Sequence, residues 1–423
     1  MKKKIPVAQA RLGMFIDALD GSWLDHPFWK SAFKLEQPAQ LAQLQASAVK
    51  MVWIDTDRGL DVAGTEDAAS QWVDDVELPR DTPGTAEADL SAVPPPAPAV
   101  HPARSAEAEP CGMTEEVVRA RKILGQARPA MKSMFADARL GKAVDAEHCL
   151  PLVNEITQSV TRNPGAIVSL ARLKTSDDYT YMHSVAVCAL MVALARQLGL
   201  GEDETREVGL AGLVHDLGKA MMPLEVLNKP GKLTDAEYAI MKGHPEAGHR
   251  MLVEGQGVGP IPLDVCLHHH EKINGSGYPH RLKGEEISLY AKMGAVTDVY
   301  DAITSNRPYK AGWDPAESVQ KMAQWTKEGH FDERVFQAFV KSLGIYPTGS
   351  LVRLQSGRLA VVVEQGAGSL LSPVVRVFYS TKAKEPITPE LLDLSKSVDQ
   401  IVSRESPSTW GFKNLDQLWM PQG

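Results

Sequence analysis

Cysteine is scarce in this sequence, with 4 residues among 423, and no two of them form a C-x-x-C pair. This scarcity excludes a disulfide-rich scaffold and a cysteine-based zinc site, so we expect reduced, structural thiols. Long apolar runs are also missing, since no stretch reaches the roughly 18 residues that a transmembrane helix needs. The basic start, residues 1–5, lacks the apolar run and cleavage site of a signal peptide. We therefore expect a cytoplasmic protein with no membrane partner.

An excess of positive charge is absent as well. The 45 Lys and Arg residues against 53 Asp and Glu residues give a formal net charge of -8. A protein that binds duplex nucleic acid presents a basic face, so no such partner is expected. A small anionic ligand stays compatible with this charge, because bound metal ions can supply the positive charge that the composition lacks.

Composition and apolar periodicity divide the chain into several parts, as its length allows. Residues 79–112 are rich in Pro and Ala and cannot bury enough apolar surface to offset their ordering entropy. The predicted organisation is a small mixed α/β N-terminal domain at 1–78, a Pro/Ala-rich linker at 79–112, connecting helices at 113–148, a central all-α helical bundle at 149–345 and an antiparallel β-rich extension at 346–423.

Local signals mark the ends of several elements. Segments 115–137 and 150–160 have helical periodicity. Thr234 with Glu237 predicts a capping box, and Asp314 before Pro315 predicts another helix start. The glycines predicted to end helices are Gly218, Gly329 and Gly344. Short apolar or β-branched runs predict strands at 51–54, 351–354, 359–363 and 374–379.

Histidine is unevenly distributed along the chain. Six of the 12 histidines, all within the helical block, are interleaved there with Asp216 and Asp298, at positions 183, 215, 244, 268, 269 and 270. One inward histidine is more often a satisfied core residue than a ligand. A core filled with unliganded His and Asp would leave many buried polar groups unsatisfied. Five or six His with two Asp instead match the ligand complement of a two-metal hydrolase.

A turn-forming segment follows the last of these histidines. Residues 275–279 read Gly-Ser-Gly-Tyr-Pro, which predicts a tight turn. The segment is either only a turn, or a loop that closes over the metal site or faces a partner.

These motifs resemble those of the HD-GYP subgroup of the HD phosphohydrolase superfamily. The resemblance rests on 215–219 (His-Asp-Leu-Gly-Lys), on 269–271 (His-His-Glu) with 274–279, and on 298–302 through 307–310, in the family order. It implies an HD-type helical bundle and a bacterial phosphodiesterase that linearises cyclic di-GMP to pGpG or further to GMP. The N-terminal segment resembles a domain of unknown function that often precedes HD-GYP domains.

The resemblance also implies roles for individual residues. Asp216 would bridge two divalent metal ions, with Fe or Mn favoured by the mixed ligand set, and would act in catalysis together with Lys219. Lys219 is also the candidate donor to the leaving 3′ oxygen. The implied metal ligands are His183, His215, Asp216, His244, His269, His270 and Asp298. The implied substrate contacts are Lys219, Tyr278, Asp301, Arg307 and Lys310, although Arg307 and Lys310 without the motif would read as solvated surface charges.

The sequence departs from the family pattern at two positions. Members with a third metal carry Glu four residues before the first ligand histidine, where this chain has Tyr179, so we expect a dinuclear site. Asn274 replaces the usual Asp before Gly-Ser-Gly-Tyr-Pro, which removes no ligand. His268 has no assigned role and is interpreted as structural or as supporting a ligand.

Other functions remain compatible with these residues. The chain could be an HD hydrolase of another nucleotide, because the fold alone does not determine the base. It could also be a catalytically silent cyclic di-GMP sensor or scaffold whose loop 277–279 binds GGDEF proteins, although every expected dinuclear ligand is present. The amphipathic segment 115–137 is a candidate for pairing two chains in a homodimer, but core packing is the commoner use of such a stripe. The terminal modules are candidate regulators.

Overall fold

The computed structural model describes residues 2–10, 12–19, 33–35, 41, 44, 51–60, 109–142, 145–173, 179–229, 232–305, 312–366, 369–412 and 414–420. Most of the predicted linker, together with Arg307 and Lys310, lies outside these described residues. The chain forms two compact units, one of residues 1–74 with 229–233 and one of the remaining residues.

The first unit is built on a small antiparallel sheet. Its strands are β1 (Lys2–Pro6), β2 (Phe15–Leu19), β3 (Phe33–Lys34) and β4 (Met51–Asp55), in the spatial order β1-β4-β2-β3. In β4, Val52 and Ile54 are buried while Trp53 between them is 38% exposed, as expected where one face of a sheet covers a core. The predicted strand at 51–54 is therefore confirmed.

The second unit is mainly helical. Its helices are α1 (Met113–Arg139), α2 (Leu150–Arg162), α3 (Pro164–Arg172), α4 (Tyr179–Leu198), α5 (Glu202–Val214), α6 (Leu224–Leu227), α7 (Asp235–Met241), α8 (His244–Glu254), α9 (Pro260–His268), α10 (Leu289–Thr304), α11 (Pro315–Lys327), α12 (Glu333–Leu343), α13 (Pro407–Trp410) and α14 (Asp416–Trp419). The predicted helices at 115–137 and 150–160 correspond to α1 and α2.

Helix α4 runs through the core of this unit. The expectation that no stretch is long and apolar enough to cross a membrane is wrong, because Thr180–Leu198 passes that test by length and composition. This helix packs inside the unit, where 78% of the apolar window is buried. The stripe of α1, including Val117, Ile123 and Met131, is buried in the same core. Core packing within the chain therefore accounts for the amphipathic pattern of α1.

The predicted helix starts are confirmed by their hydrogen bonds. Thr234 and Glu237 form a capping box at α7, in which each side chain accepts from the backbone N–H of the other residue, at 3.3 and 2.7 Å. The Asp314 carboxylate accepts from the backbone N–H groups of Ala316 and Glu317 at the start of α11.

The predicted helix ends are confirmed at two of the three glycines. Gly329 and Gly344 follow α11 and α12 with φ angles of 80° and 87°, a conformation that glycine adopts without strain. The prediction for Gly218 is wrong, because α5 already ends at Val214 and Gly218 lies within a 3-10 turn, Leu217–Met221.

A five-stranded antiparallel sheet forms the C-terminal part. Its strands are β5 (Leu351–Leu354), β6 (Arg358–Glu364), β7 (Val374–Ser380), β8 (Glu385–Asp393) and β9 (Ile401–Arg404), in the order β8-β7-β6-β5-β9. The first three strands agree with the sequence prediction. Sequence reasoning missed β8 because it contains Pro386 and Pro389, which are tolerated here at the edge of the sheet.

All four cysteines are free thiols, as predicted. Burial raises the pKa of Cys149 to about 11 and raises the pKa values of Cys188 and Cys266 further. These groups are therefore protonated near neutral pH and pack as small apolar side chains.

Candidate metal centre

The seven predicted ligands lie together inside the helical unit. His183 comes from α4, His244 begins α8, and Asp298 lies in the middle of α10. His215 and Asp216 directly follow α5, and His269 and His270 directly follow α9. All seven are at most 7% exposed. Their donor atoms form two groups whose atoms lie within 4.8 Å of one another, one of Asp216, His244, His269 and His270 and the other of His183, His215 and Asp298.

Asp216 lies between the two groups. Its Oδ1 atom is 3.3 Å from His244 Nε2 and 3.8 Å from His269 Nε2. Its Oδ2 atom is 3.4 Å from both His183 Nε2 and His215 Nε2. One carboxylate thus presents a different oxygen to each histidine group, which is the arrangement required of a bridging ligand.

Asp298 closes the second group. Its Oδ1 atom lies 2.9 Å from His183 Nε2 and 3.8 Å from His215 Nε2. Its Oδ2 atom lies 4.0 Å from Nδ1 of His270, whose ring belongs to the group that contains Asp216. The two groups therefore form one continuous cluster around the two carboxylates.

Hydrogen bonds at Nδ1 orient four of the five histidine rings. In three of these four rings, a backbone carbonyl oxygen accepts the bond, at distances of 2.7 Å (Gly212 to His215), 2.8 Å (Met241 to His244) and 3.0 Å (Val265 to His269). His183 Nδ1 lies 2.6 Å from Asp301 Oδ2. A carbonyl oxygen can only accept, so Nδ1 carries the proton in those three rings. Their Nε2 atoms therefore face the cluster, as ligating imidazoles do.

Several donor atoms of the cluster fit metal ions better than they fit one another. His215 Nε2, His270 Nε2 and both Asp216 oxygens are buried and make no hydrogen bond within the described residues. Buried polar atoms without a hydrogen bond are costly, and cations bound at the two groups would satisfy all of them, beside the ion pair of Lys219 with Asp216 Oδ2. Imidazole and carboxylate donors together suit first-row divalent metals.

Burial and neighbouring charges shift the pKa values of three clustered groups. Burial alone would raise the pKa of Asp216, but the Lys219 ammonium and the His215 ring outweigh burial and hold this pKa well below its usual 3.8. Burial, assisted by neighbouring rings, lowers the pKa of His269 to about 3, so this ring is a neutral ligand. Burial lowers the pKa of His215 less than the Asp216 and Asp298 carboxylates raise it, to about 10. A cation bound at His215 must therefore displace a proton.

Two glycines allow the ligand-bearing elements to approach one another. A Cβ atom on Gly218 would collide with the backbone oxygen of His244, the first residue of α8. A Cβ atom on Gly294 in α10 would lie 2.9 Å from Val265 Cγ1 and 3.3 Å from His269 Cβ. Gly218 thus serves close helix approach, which explains why it does not mark a helix end.

The predicted substrate contacts occupy different positions. Lys219 Nζ lies 3.1 Å from Asp216 Oδ2, at the edge of the cluster. The Tyr278 ring stacks on His270, with centroids 4.6 Å apart and an interplanar angle of 23°. Asp301 is 2% exposed and lies behind His183, where Ser305 Oγ also donates to it at 3.0 Å. This placement favours a role in orienting His183 over the substrate contact expected from the motif.

Glu271 is a functional candidate that the sequence reasoning missed. Its carboxylate is buried and accepts from the backbone N–H groups of His280, at 2.7 Å, and Leu282, at 3.1 Å. The backbone N–H of Tyr278 donates to the His270 carbonyl. Glu271 therefore shapes the loop that carries Tyr278. Its position directly after two ligand histidines was the available signal.

A cavity of about 340 Å³ lies elsewhere in the same unit. Its lining includes Arg172 of α3 together with Tyr300 and Thr304 of α10, and none of the seven clustered residues. The chemistry of the donor set, and not cavity size, therefore identifies the site.

Family models and a known protein match most of the chain. Residues 2–149 match the model of a domain of unknown function (DUF3391), and residues 158–335 match the model of the HD domain. The cyclic di-GMP phosphodiesterase PA4108 of Pseudomonas aeruginosa is 53% identical over 422 residues, which cover 99% of this chain and 96% of that protein. The 3'3'-cGAMP-specific phosphodiesterase 1 of Vibrio cholerae is 36% identical over 186 residues, 42% of each chain.

The solved structure of Bd1817, described as an HDG"Y"P protein from Bdellovibrio bacteriovorus, aligns with a TM-score of 0.45 at 18% identity. That alignment covers 81% of this chain and 99% of the other. The identity to the Pseudomonas relative over nearly the whole of both chains decides the assignment. The clustered residues lie within the segment that matches the HD domain. The chain therefore belongs to the HD-GYP family of metal-dependent phosphodiesterases.

Proposed function

We propose that this chain hydrolyses the 3′-5′ phosphodiester bonds of cyclic di-GMP at a two-metal centre, releasing pGpG, GMP or both. The observation that carries the proposal is the position of Asp216, whose two oxygens face separate histidine groups. The activity of the Pseudomonas relative supports cyclic di-GMP as the substrate.

The proposed ligands divide between two divalent ions. His183, His215 and Asp298 would hold one ion, His244, His269 and His270 would hold the other, and Asp216 would bridge them. Fe or Mn fits this mixture of imidazole and carboxylate donors. When bound, the ions supply Lewis acidity toward the phosphodiester and an activated water nucleophile.

Residues around the ligands are proposed to bind and orient the substrate. The Lys219 ammonium lies close enough to Asp216 to donate to a phosphate oxygen or to the leaving 3′ oxygen. Tyr278 holds the His270 ring by stacking and borders the same space. Arg307 and Lys310 are proposed as further phosphate contacts on the strength of their motif. Asp301 and Glu271 would act indirectly, through His183 and through the loop 271–282.

A second substrate is favoured by one comparison. A Vibrio cholerae relative that matches 42% of this chain is specific for 3'3'-cGAMP, which differs from cyclic di-GMP in one base. Binding of GGDEF proteins through loop 277–279 and formation of a homodimer stay predictions. A cytoplasmic location fits the four free thiols, since disulfides persist mainly in oxidising compartments.

Product formation tests the proposal directly. Full-length protein loaded with Mn or Fe is incubated with cyclic di-GMP, or with 3'3'-cGAMP in parallel, and the products are separated by chromatography. Asp216→Ala should abolish turnover and lower the metal content, because the bridging ligand is lost. Asp203→Ala, which removes a carboxylate that is 95% exposed on α5, is the matched control and should keep both.

The outcomes separate the competing functions. Metal-dependent pGpG or GMP that disappears in Asp216→Ala supports the enzyme. A fully active Asp216→Ala protein contradicts the two-metal centre. Tight binding of cyclic di-GMP to the metal-loaded protein without any product favours a sensor or scaffold, and faster cleavage of 3'3'-cGAMP reassigns the substrate.

A further inference from the structure

A lysine without a carboxylate partner lies beside the metal centre. Lys242 directly follows α7 and stands shortly before the ligand His244, which begins α8. Its side chain is half-buried, yet among the residues that the structure describes its ammonium forms no hydrogen bond and no ion pair. Partial removal from water strengthens the attraction between an ammonium and an anion. Lys242 is therefore a candidate to bind an anion that is not part of the chain.

Two tyrosine rings hold the Lys242 ammonium in place. Its Nζ atom lies 4.6 Å from the centroid of the Tyr238 ring, one turn earlier in the chain. The same atom lies 5.8 Å from the centroid of the Tyr278 ring, in the turn that follows the ligand histidines. An ammonium within about 6 Å of an aromatic ring is attracted to the face of that ring. The rings restrict the position of the ammonium but do not neutralise its charge.

Ring contacts connect Lys242 to the metal ligands. The Tyr278 ring that it approaches stacks on His270, with centroids 4.6 Å apart. The centroids of the His270 and His244 rings are in turn 5.0 Å apart. The backbone makes a second connection, since the carbonyl of Met241, in the peptide group shared with Lys242, accepts from Nδ1 of His244 at 2.8 Å. Lys242 thus borders the ligand group that contains His244.

A different ammonium serves the other side of the centre. Lys219 Nζ lies 3.1 Å from Asp216 Oδ2, the oxygen that faces the group containing His183. The chain therefore presents one lysine at each of the two ligand groups, although its formal net charge is -8. A cyclic dinucleotide has two phosphodiester groups. While one of them lies on the metal ions, the other must lie outside the ligand cluster and needs a cation of its own.

We propose that Lys242 binds the phosphate of the cyclic dinucleotide that is not being cleaved. This assignment rests on the phosphodiesterase function proposed above. Lys219 serves the phosphate under attack, and Lys242, held between the rings of Tyr238 and Tyr278, donates to an oxygen of the second phosphate. That phosphate keeps its charge and its bonds during cleavage, so the contact stabilises the bound substrate and the transition state equally. Lys242 therefore sets KM and favours substrates with two phosphates.

Steady-state kinetics of the full-length, Mn-loaded protein with two substrates test this contact. Lys242→Met loses one charge-assisted hydrogen bond, so it should raise KM for cyclic di-GMP about 10–100-fold and leave kcat near wild type. Lys242→Arg keeps the charge and should recover most of the affinity. Bis(p-nitrophenyl) phosphate has a single phosphodiester group, so Lys242→Met should cleave it as the wild type does. Lys132→Met, which removes an exposed lysine of α1, is the matched control and should keep the wild-type KM.

Three results would each overturn the proposal. The first is an unchanged KM for cyclic di-GMP in Lys242→Met. The second is an equal loss of activity on bis(p-nitrophenyl) phosphate, or a lower metal content, since either would indicate a disturbed metal centre. The third is an equal rise of KM in Lys132→Met, which would indicate general attraction of an anionic substrate.

Calorimetric titration with cyclic di-GMP separates this proposal from the proposed function. If the wild type binds cyclic di-GMP without cleaving it, the phosphodiesterase proposal fails, whereas a Kd raised about 10–100-fold in Lys242→Met still supports the phosphate contact. Equal Kd values in the wild type and Lys242→Met would overturn the contact whether or not the protein is an active enzyme.

Discussion

Replacing Asp301 by asparagine tests how the protein orients its first ligand histidine. Asp301 Oδ2 lies 2.6 Å from His183 Nδ1, and Ser305 Oγ donates to Oδ1 at 3.0 Å. Asparagine keeps the shape of the side chain but removes its charge. A hydrogen bond to a charged group contributes about 1.5–3 kcal/mol and a neutral one about 0.5–1.5 kcal/mol. The substitution should therefore cost about 1–1.5 kcal/mol in the orientation of His183.

This cost should appear as weaker metal binding. Since about 1.4 kcal/mol corresponds to a factor of ten, we expect a metal affinity about 10-fold lower in Asp301→Asn. That value lies at the low end of the about 10–100-fold losses typical of residues that orient metal ligands. Competition titration with a metal chelator measures the affinity, and steady-state hydrolysis of cyclic di-GMP at saturating metal measures kcat and KM.

A buried carboxylate far from the metal ligands in sequence serves as the control for Asp301→Asn. Asp399→Asn changes another buried carboxylate, 8% exposed, which bonds Ser356 and Arg358 in the C-terminal sheet, and it should leave metal affinity unchanged. If Asp301→Asn raises KM while metal affinity stays at the wild-type value, Asp301 contacts the substrate and the orienting role is wrong.

Three further predictions follow from the same structure. The amide in Glu271→Gln can accept only one of the two backbone N–H bonds of the loop, which costs about 1–3 kcal/mol locally. The value of kcat/KM should therefore fall while the metal content stays near wild type. Unchanged kinetics would argue against a role of Glu271 in shaping the loop that carries Tyr278. Glu116→Ala leaves the Arg162 guanidinium, bonded at 2.6 and 2.9 Å, without its buried partner and should lower the free energy of unfolding by about 3–5 kcal/mol in urea titrations. Burial alone would raise the pKa of Glu116, but hydrogen bonds from Arg162 outweigh it and lower this pKa in the folded state. The stabilisation should therefore be present above the pKa of the unfolded state and vanish as pH falls through the pKa of the folded state. A difference in unfolding free energy between the wild type and Glu116→Ala that does not change with pH would contradict the pairing. Metal uptake should release protons, because the pKa of His215 is raised to about 10, and calorimetry in buffers of different ionisation enthalpy should show this release; identical heats would count against His215 as a ligand.

Much of the fold follows from signals that lie within a few residues of one another. The capping box at Thr234, the Asp314 helix start and the glycine after α12 depend on local backbone chemistry, and each was readable in the sequence. Strand β8 could not be predicted from the sequence, because its prolines oppose strand formation except at a sheet edge. Only the assembled sheet shows that β8 is an edge strand.

The identities of the seven clustered residues could also be predicted, since their residue types and order suffice for a resemblance to a metal-dependent family. The sequence did not determine which ring faces which carboxylate oxygen, why Gly218 must lack a side chain, or that Asp301 lies behind His183. It also did not connect Lys242 with Tyr278. These relations join residues from separate helices and loops, and their distances arise from packing and burial, which depend on the whole tertiary structure.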